Sequence, residues 1–153
     1  MSNKLRLTDS PDFRIHDAKY VERLDPKVDG ILYELRQDFD YCVGGPDTDD
    51  VIHIPKGFLT DFASIPRPLR IFFPMRERIS LAPIPHDWLY ATHSRPKNEA
   101  DDIYYEAMIA LDYNPKRAYI QYQAVKQGGH KAYEEAPTHF KRRTPELHKS
   151  IFG

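Results

Sequence analysis

The side chains whose types and spacing could do chemistry lie in two short segments, His86-Asp87-Trp88-Leu89-Tyr90 and Ala100-Asp101-Asp102. A carboxylate beside an imidazole fixes its tautomer and raises its basicity, which is what a general base needs. On a helix, positions i, i+3, i+4 and i+7 share one face. That rule groups His86, Leu89, Tyr90 and His93 and turns His86 inward, with Asp87 on the flank about 100° round. In the next helical segment Ala100, Ile103, Tyr104, Ala107, Met108 and Leu111 form the apolar stripe. Asp101 falls at its edge and Asp102 further round, towards Glu106 and solvent. A turn over residues 93–96 makes the two helices antiparallel neighbours and brings His86 and Tyr90 towards Asp101. The catalytic candidates are therefore His86, Asp101 and Tyr90. The same residues would also serve as a buried pair that merely satisfies two polar groups.

A second polar set lies in Gly57-Phe58-Leu59-Thr60-Asp61-Phe62-Ala63-Ser64-Ile65-Pro66-Arg67. Asp61, between two phenylalanines, must find a donor or a metal. It could complete a metal site with Asp87 or pair with Arg67. Thr60 and Ser64 add small polar groups. Ser64 could act as a nucleophile for His86, but the chain has no Gly-x-Ser-x-Gly elbow and a helix cap explains it better. His16, His53, His130, His139 and His148 have no metal-ligand spacing, so zinc is not expected. The acidic run Asp47/Asp49/Asp50 lacks the Gly and distal Glu of a calcium loop and reads as a solvated turn.

The elements that must position these groups follow from periodicity. Residues 1–28 read as an irregular arm holding one short strand. Ile31 to Val43 alternates with period two, Gly44 to Asp50 is a turn by composition, and Val51 to Ile54 resumes the extended pattern up to Pro55. An antiparallel hairpin results. Ser64-Ile65-Pro66 opens a short helix over Leu69–Phe73, stopped by Pro74. Longer helices are expected from Pro83 or Pro85 to Thr92, from Lys97 to Leu111, and from Asn114-Pro115 to Gln127, where Gly128-Gly129 ends the last. The predicted class is α+β: a hairpin or small sheet packed on three to four helices. One globular domain spans 1–135, with the arm at 1–28, a β-rich part at 29–66 and a helical part at 67–135. Residues 136–153, with Pro137 and Pro145, read as a tail.

A chain of 153 residues with 41% apolar side chains has room for one real core. Cys42 stands alone, so no intrachain disulfide is available. No apolar run approaches the length of a membrane span, and the reading is a soluble protein made in the cytoplasm. The net charge of −1 hides a segregation. Residues 1–50 carry 7 basic and 12 acidic side chains, and residues 114–153 carry 8 and 3. An acidic front and a basic rear favour head-to-tail contact between copies or with a charged neighbour. A nucleic-acid partner is not expected, since Lys141-Arg142-Arg143 is not interleaved with stacking aromatics.

The run Gly57-Phe58-Leu59-Thr60-Asp61-Phe62-Ala63-Ser64-Ile65-Pro66-Arg67, then His86-Asp87-Trp88-Leu89-Tyr90, then Ser94-Arg95 with Ala100-Asp101, resembles an uncharacterised family found in phages and prophages. That family reads Gly-Phe-x-Thr-Asp-x-Ala-Ser-x-Pro-Arg, Leu-His-Asp-Tyr-Leu-Tyr and Ser-Arg-x-x-Ala-Asp. Pro85 and Trp88 depart from it without touching the polar set. The resemblance implies a phage origin and a virion or tail component. More locally, His-Asp-x-x-Tyr with a downstream Ala-Asp is similar to the small calcium-dependent phospholipases. That likeness implies that His86 activates water, Asp87 binds a divalent cation such as calcium, Asp101 orients His86 and Tyr90 bonds Asp101. The glycine-rich calcium loop of those enzymes is not evident here, and their disulfides are absent.

Three functional expectations follow. One is a virion-associated tail or tail-tip protein, made in the host cytoplasm, whose partners are other phage structural proteins or its own copies. Another is a metal-dependent hydrolase of an envelope component, phospholipid or peptidoglycan. The third is an accessory protein that binds a host partner.

Overall fold

A computed structural model describes residues 13–15, 33–60, 67–74 and 81–153. The architecture is α+β, with two small antiparallel sheets beside five α-helices among the described residues. One sheet holds β1 (Phe13–Ile15), β2 (Tyr33–Leu35) and β5 (Leu59–Thr60), in the order β1-β2-β5. The other is the expected hairpin of β3 (Phe39–Cys42) and β4 (Val51–Ile54). Its register sets Phe39 opposite Ile54 and Tyr41 opposite Ile52, all buried. Asp40 lies opposite His53 on the other face, and their side chains meet at 2.7 Å.

The long strand read from Ile31 to Val43 is in fact two strands in two sheets, separated at Arg36-Gln37-Asp38. Alternation survives the break, since Leu35, Phe39 and Tyr41 are all buried. What changes is the hydrogen-bonding partner. Leu35 exchanges backbone bonds with Gly57 (N–H to Leu35 O, 2.7 Å) and Phe58 (2.8 Å), while Asp38 Oδ1 accepts from the Lys56 N–H at 2.6 Å. Gly57, at φ +95°, turns the chain between β4 and β5 in a conformation that L side chains rarely adopt.

A 3-10 helix, Arg67–Phe72, stands where the short helix was expected. Then come α1 (Pro83–Thr92), α2 (Lys97–Ala110), α3 (Pro115–Gly128), α4 (His130–Arg143) and α5 (Pro145–Phe152). The prolines of α1 fall in its first turn, where no helical N–H is needed. Asn114 caps α3, its Oδ1 accepting from the N–H groups of Lys116 (3.0 Å) and Arg117 (3.2 Å). Helix α1 is the centre of the helical layer: it packs on α2, α4 and β4, while α3 packs on α2. Eight of its ten residues are buried. Outside this layer, Glu106 on α2 clasps the hairpin, accepting from the Tyr41 hydroxyl at 2.6 Å and the Gly44 N–H at 2.9 Å. Arg95 forms an ion pair with Asp50 at the other side of the turn.

The stretch read as a tail, residues 136–153, is helical. Pro137 lies inside α4 and has no N–H to give to the carbonyl four residues back. That carbonyl, Tyr133 O, accepts from His93 Nε2 instead, at 2.7 Å. His93 is the left-handed end of α1, at φ 52°. It was expected on the inward face with His86; the helix stops at Thr92, and His93 is exposed, its ring stacked on Tyr133 at 3.9 Å. Further along α4, Phe140 is buried and packs edge-on against Phe58 (5.8 Å) and Trp88 (5.7 Å). Replacing Phe140 by Ala should therefore destabilise the protein by about 3–5 kcal/mol in urea denaturation. A loss within ~0.5 kcal/mol, the usual cost at an uninvolved surface position, would return this segment to a dispensable tail.

Candidate functional site: a buried carboxylate with three donors

The α1–α2 pair brings His86, Tyr90 and Asp101 together as their spacing requires. His86 Nε2 lies 2.9 Å from Asp101 Oδ1, and the Tyr90 hydroxyl donates to the same oxygen at 2.6 Å. An ionised carboxylate only accepts, so the Nε2 of His86 carries the proton. The ring is held on both sides as well, stacked on Tyr104 at 4.7 Å and tilted against Tyr90 at 4.1 Å. Asp101 is more deeply placed than the edge of a stripe: its side chain is 1% exposed and that of His86 is 3%. Among the described residues the buried polar side chains are Thr60, His86, Asp101 and Gln121. Two of the four are this pair and a third adjoins it.

The third donor to Asp101 escaped the sequence reading. Lys97 Nζ lies 2.8 Å from Asp101 Oδ2. The same ammonium donates to the carbonyls of Val125 (2.7 Å) and Lys126 (3.2 Å), in the last turn of α3. Val125 O also accepts from the Gly129 N–H at 2.9 Å, and both carbonyls sit at the negative end of the helix, so a cation is well placed there. The signal available was the i, i+4 spacing of Lys97 and Asp101. Gly129, just past α3, fits tightly against this knot. A Cβ there would stand 2.4 Å from Val125 O, 3.0 Å from the Tyr90 hydroxyl and 3.3 Å from Lys97 Cε. Gly129→Ala should cost roughly 1–3 kcal/mol of stability by overpacking, measured by the shift in denaturation midpoint.

Asp87 occupies the flank, as expected. Its side chain is 21% exposed, and Oδ1 faces His86 Nδ1 at 3.8 Å. The Thr60 hydroxyl, at the end of β5, donates to Asp87 Oδ2. The site thus runs from Asp101 through the His86 ring to Asp87 and Thr60, with its inner end sealed and its outer end partly open. Asp102 points outward and accepts from the Tyr122 hydroxyl at 2.5 Å. Asp61 and Ser64 lie outside the described residues, and Arg67 is placed only as the first residue of the 3-10 helix. Among the described residues no group of three or more His, Cys, Asp or Glu could hold a metal ion. For a calcium ion they would supply the Asp87 carboxylate alone, already bonded to Thr60 and facing an imidazole.

Burial alone would push the His86 imidazolium towards deprotonation, but the carboxylates of Asp101 and Asp87 outweigh it and raise its pKa above the ordinary 6.5. Asp101 is moved the other way: burial would raise it, and the hydrogen bonds from His86, Lys97 and Tyr90 together hold it below 3.8. Burial and the neighbouring Asp101 push the Tyr90 phenol well up, so it stays a donor. The signs give a stability window. The His86 contribution is complete below 6.5 and is lost as pH climbs through its raised folded value. The Asp101 contribution is complete above 3.8 and is lost as pH falls through its lowered value. Urea denaturation across pH should show a plateau between these limits, and His86→Gln should flatten the alkaline limb and also shrink the acid limb, since His86 helps hold Asp101 low. An alkaline limb unchanged in that variant would show that His86 is not its source.

No curated protein matches the chain, and no solved structure does. Among the described residues no helix is long and apolar enough to cross a membrane. A family profile described as "Protein of unknown function (DUF1353)" matches residues 33–125. That span runs from the start of β2 almost to the end of α3 and contains Thr60, His86, Asp87, Tyr90, Lys97 and Asp101. With more than half of its length matched, the chain belongs to the DUF1353 family.

Proposed function

We propose that this protein is a virion-associated component of a bacteriophage, of the tail or tail tip, and that His86 and Asp101 form a hydrolase-type dyad acting on an envelope component, phospholipid or peptidoglycan. The observation that carries the chemistry is the clamp on Asp101, which fixes the Nε2 proton of His86 inward and turns Nδ1 towards the partly exposed Asp87. A general base must aim one nitrogen in a fixed direction, and the clamp supports this role by orienting Nδ1, which can take a proton once His86 is neutral. With His86 neutral, Nδ1 takes a proton from a water as its oxygen attacks an acyl carbon. The proton then passes to the leaving oxygen or nitrogen as the acyl bond breaks. Tyr90 and Lys97 act through Asp101 as positioning residues.

The phage assignment rests on the Gly57–Arg67 and His86–Tyr90 motifs and on the segregation of charge along the chain. Exposed apolar groups at the 3-10 helix, Ile71 (83%) and Phe72 (63%), suit a protein that docks on neighbours. The partners on this reading are other structural proteins of the particle or further copies of the chain.

A second reading has its own observation. Lys97 joins Asp101 to the end of α3, which is what a purely structural tie would do. The two readings separate in one experiment. Labelled phospholipid in mixed micelles and purified peptidoglycan are offered to the native protein, His86→Ala and Asp101→Asn, with folding checked by circular dichroism. The dyad predicts turnover by the native protein that falls about 10²–10⁴-fold in folded His86→Ala. Since the carboxylates raise the pKa of His86, the rate should climb with pH above the ordinary imidazole range. Native protein with no turnover on either substrate, or folded His86→Ala with an undiminished rate, would leave the structural tie. Mass spectrometry of purified particles tests the location, and absence of the protein from them would remove the virion assignment.

A further inference from the structure

Two polar atoms meet at the partly open end of the dyad. Asp87 Oδ1 lies 3.8 Å from His86 Nδ1, and the Asp87 side chain is 21% exposed. Both side chains are held in place. The hydroxyl of Thr60, a buried residue at the end of β5, donates to Asp87 Oδ2, and Asp101 holds His86 through Nε2. An ionised carboxylate only accepts, and so does the bare nitrogen of a neutral imidazole whose other nitrogen carries the proton. This end of the site therefore presents two fixed acceptors side by side. Neither can satisfy the other, and a carboxylate has lone pairs for more than the bond from Thr60. The chemistry that complements them is a ligand that brings N–H groups.

We propose that the substrate taken at this end is a peptide amide of peptidoglycan, its N–H donating to Asp87 Oδ1. The inference rests on the hydrolase reading above and narrows its substrate. The scissile ester of a phospholipid carries oxygens only, with a phosphate close by, so it would set acceptors and a like charge against Asp87. An amide brings its donor on the nitrogen that has to leave. Bonded to Oδ1, that nitrogen stands beside Nδ1, where the departing group must find its proton. The steps then balance. Water gives a proton to Nδ1 and its oxygen to the acyl carbon, the C–N bond breaks, and the leaving nitrogen takes the Nδ1 proton. The products are a carboxylic acid and an amine. Asp87 on this account binds substrate, and Thr60 is a positioning residue that acts through it.

The experiment is an NMR titration of the full chain, reading the ring resonances of His86, identified by their loss in His86→Gln, at a pH above their own titration midpoint. The probes are soluble muropeptides released from peptidoglycan by a muramidase, and diheptanoylphosphatidylcholine and diheptanoylphosphatidylglycerol below their micelle concentrations. Muropeptides are expected to move the resonances and the lipids to leave them still. Asp87→Ala should weaken muropeptide binding about 10–100-fold, the worth of a hydrogen bond to a charged group. Asp87→Asn, which keeps an acceptor oxygen and a partner for Thr60, should lose less. Thr60→Val should weaken binding roughly three- to tenfold, and Thr60→Ser should restore it. Circular dichroism checks the folding of each variant. Resonances that no muropeptide moves, muropeptide binding unchanged in folded Asp87→Ala, or phospholipid turnover with or without added calcium overturns the proposal. Binding needs no turnover, so the two readings fail separately: phospholipid turnover would keep the dyad and overturn the amide, while Asp87-dependent binding without turnover would keep the amide and remove the dyad's chemistry.

Discussion

The Asp101 carboxylate is a full negative charge taken out of water, and much of the helical layer is arranged to make that tolerable. An uncompensated buried ion costs several kcal/mol. Here three donors from two helices meet its two oxygens: His86 and Tyr90 from α1, Lys97 from α2 itself. Each donor has a second attachment. The His86 ring lies between Tyr104 and Tyr90, Tyr90 packs on Tyr133 of α4 at 5.1 Å, and Lys97 reaches the carbonyls at the end of α3. Through one carboxylate, four helices share a fixed arrangement. The same arrangement gives the His86 ring a defined direction, which is why a structural account and a catalytic account begin from the same atoms.

How much of this was legible in the sequence depends on how local the physics is. The helical count selected Asp101 over Asp102 and put Asp87 on the flank, because both follow from 3.6-residue periodicity inside one element. Asn114-Pro115 and the prolines of α1 marked helix starts for similarly local reasons. The failures came where a second element decides. Alternation through Leu35, Phe39 and Tyr41 reports which face is buried and says nothing about which strand lies alongside, so one expected strand became two. Lys97 was overlooked although its spacing to Asp101 was visible, since its value lies in the α3 carbonyls. Thr60 was noticed as a polar residue, but only the fold shows that it reaches Asp87.

The hairpin and the helices meet by a different means from the helices among themselves. Inside the helical layer the ties are buried and charge-assisted. Between hairpin and helices they lie near the surface, at Glu106 with Tyr41 and Gly44, and at Arg95 with Asp50. Partly exposed ties of this kind contribute little each, because water competes for the same groups. The hairpin's own apolar face, with Phe39, Tyr41, Ile52 and Ile54, must supply most of its attachment.

The bond between His93 and the Tyr133 carbonyl bears on the order in which the molecule can assemble. A helix with an internal proline is a poor helix by itself, by roughly 3 kcal/mol relative to alanine. The group that mends α4 belongs to the end of α1 and has to be held in a left-handed turn before it can do so. Helix α4 is thus conditional on a partner that must already be formed. During synthesis from the N-terminus that partner emerges first, so chain order and structural dependence run in the same direction. A circular permutant that made α4 before α1 would reverse that order, leaving the interrupted helix to wait for its missing donor.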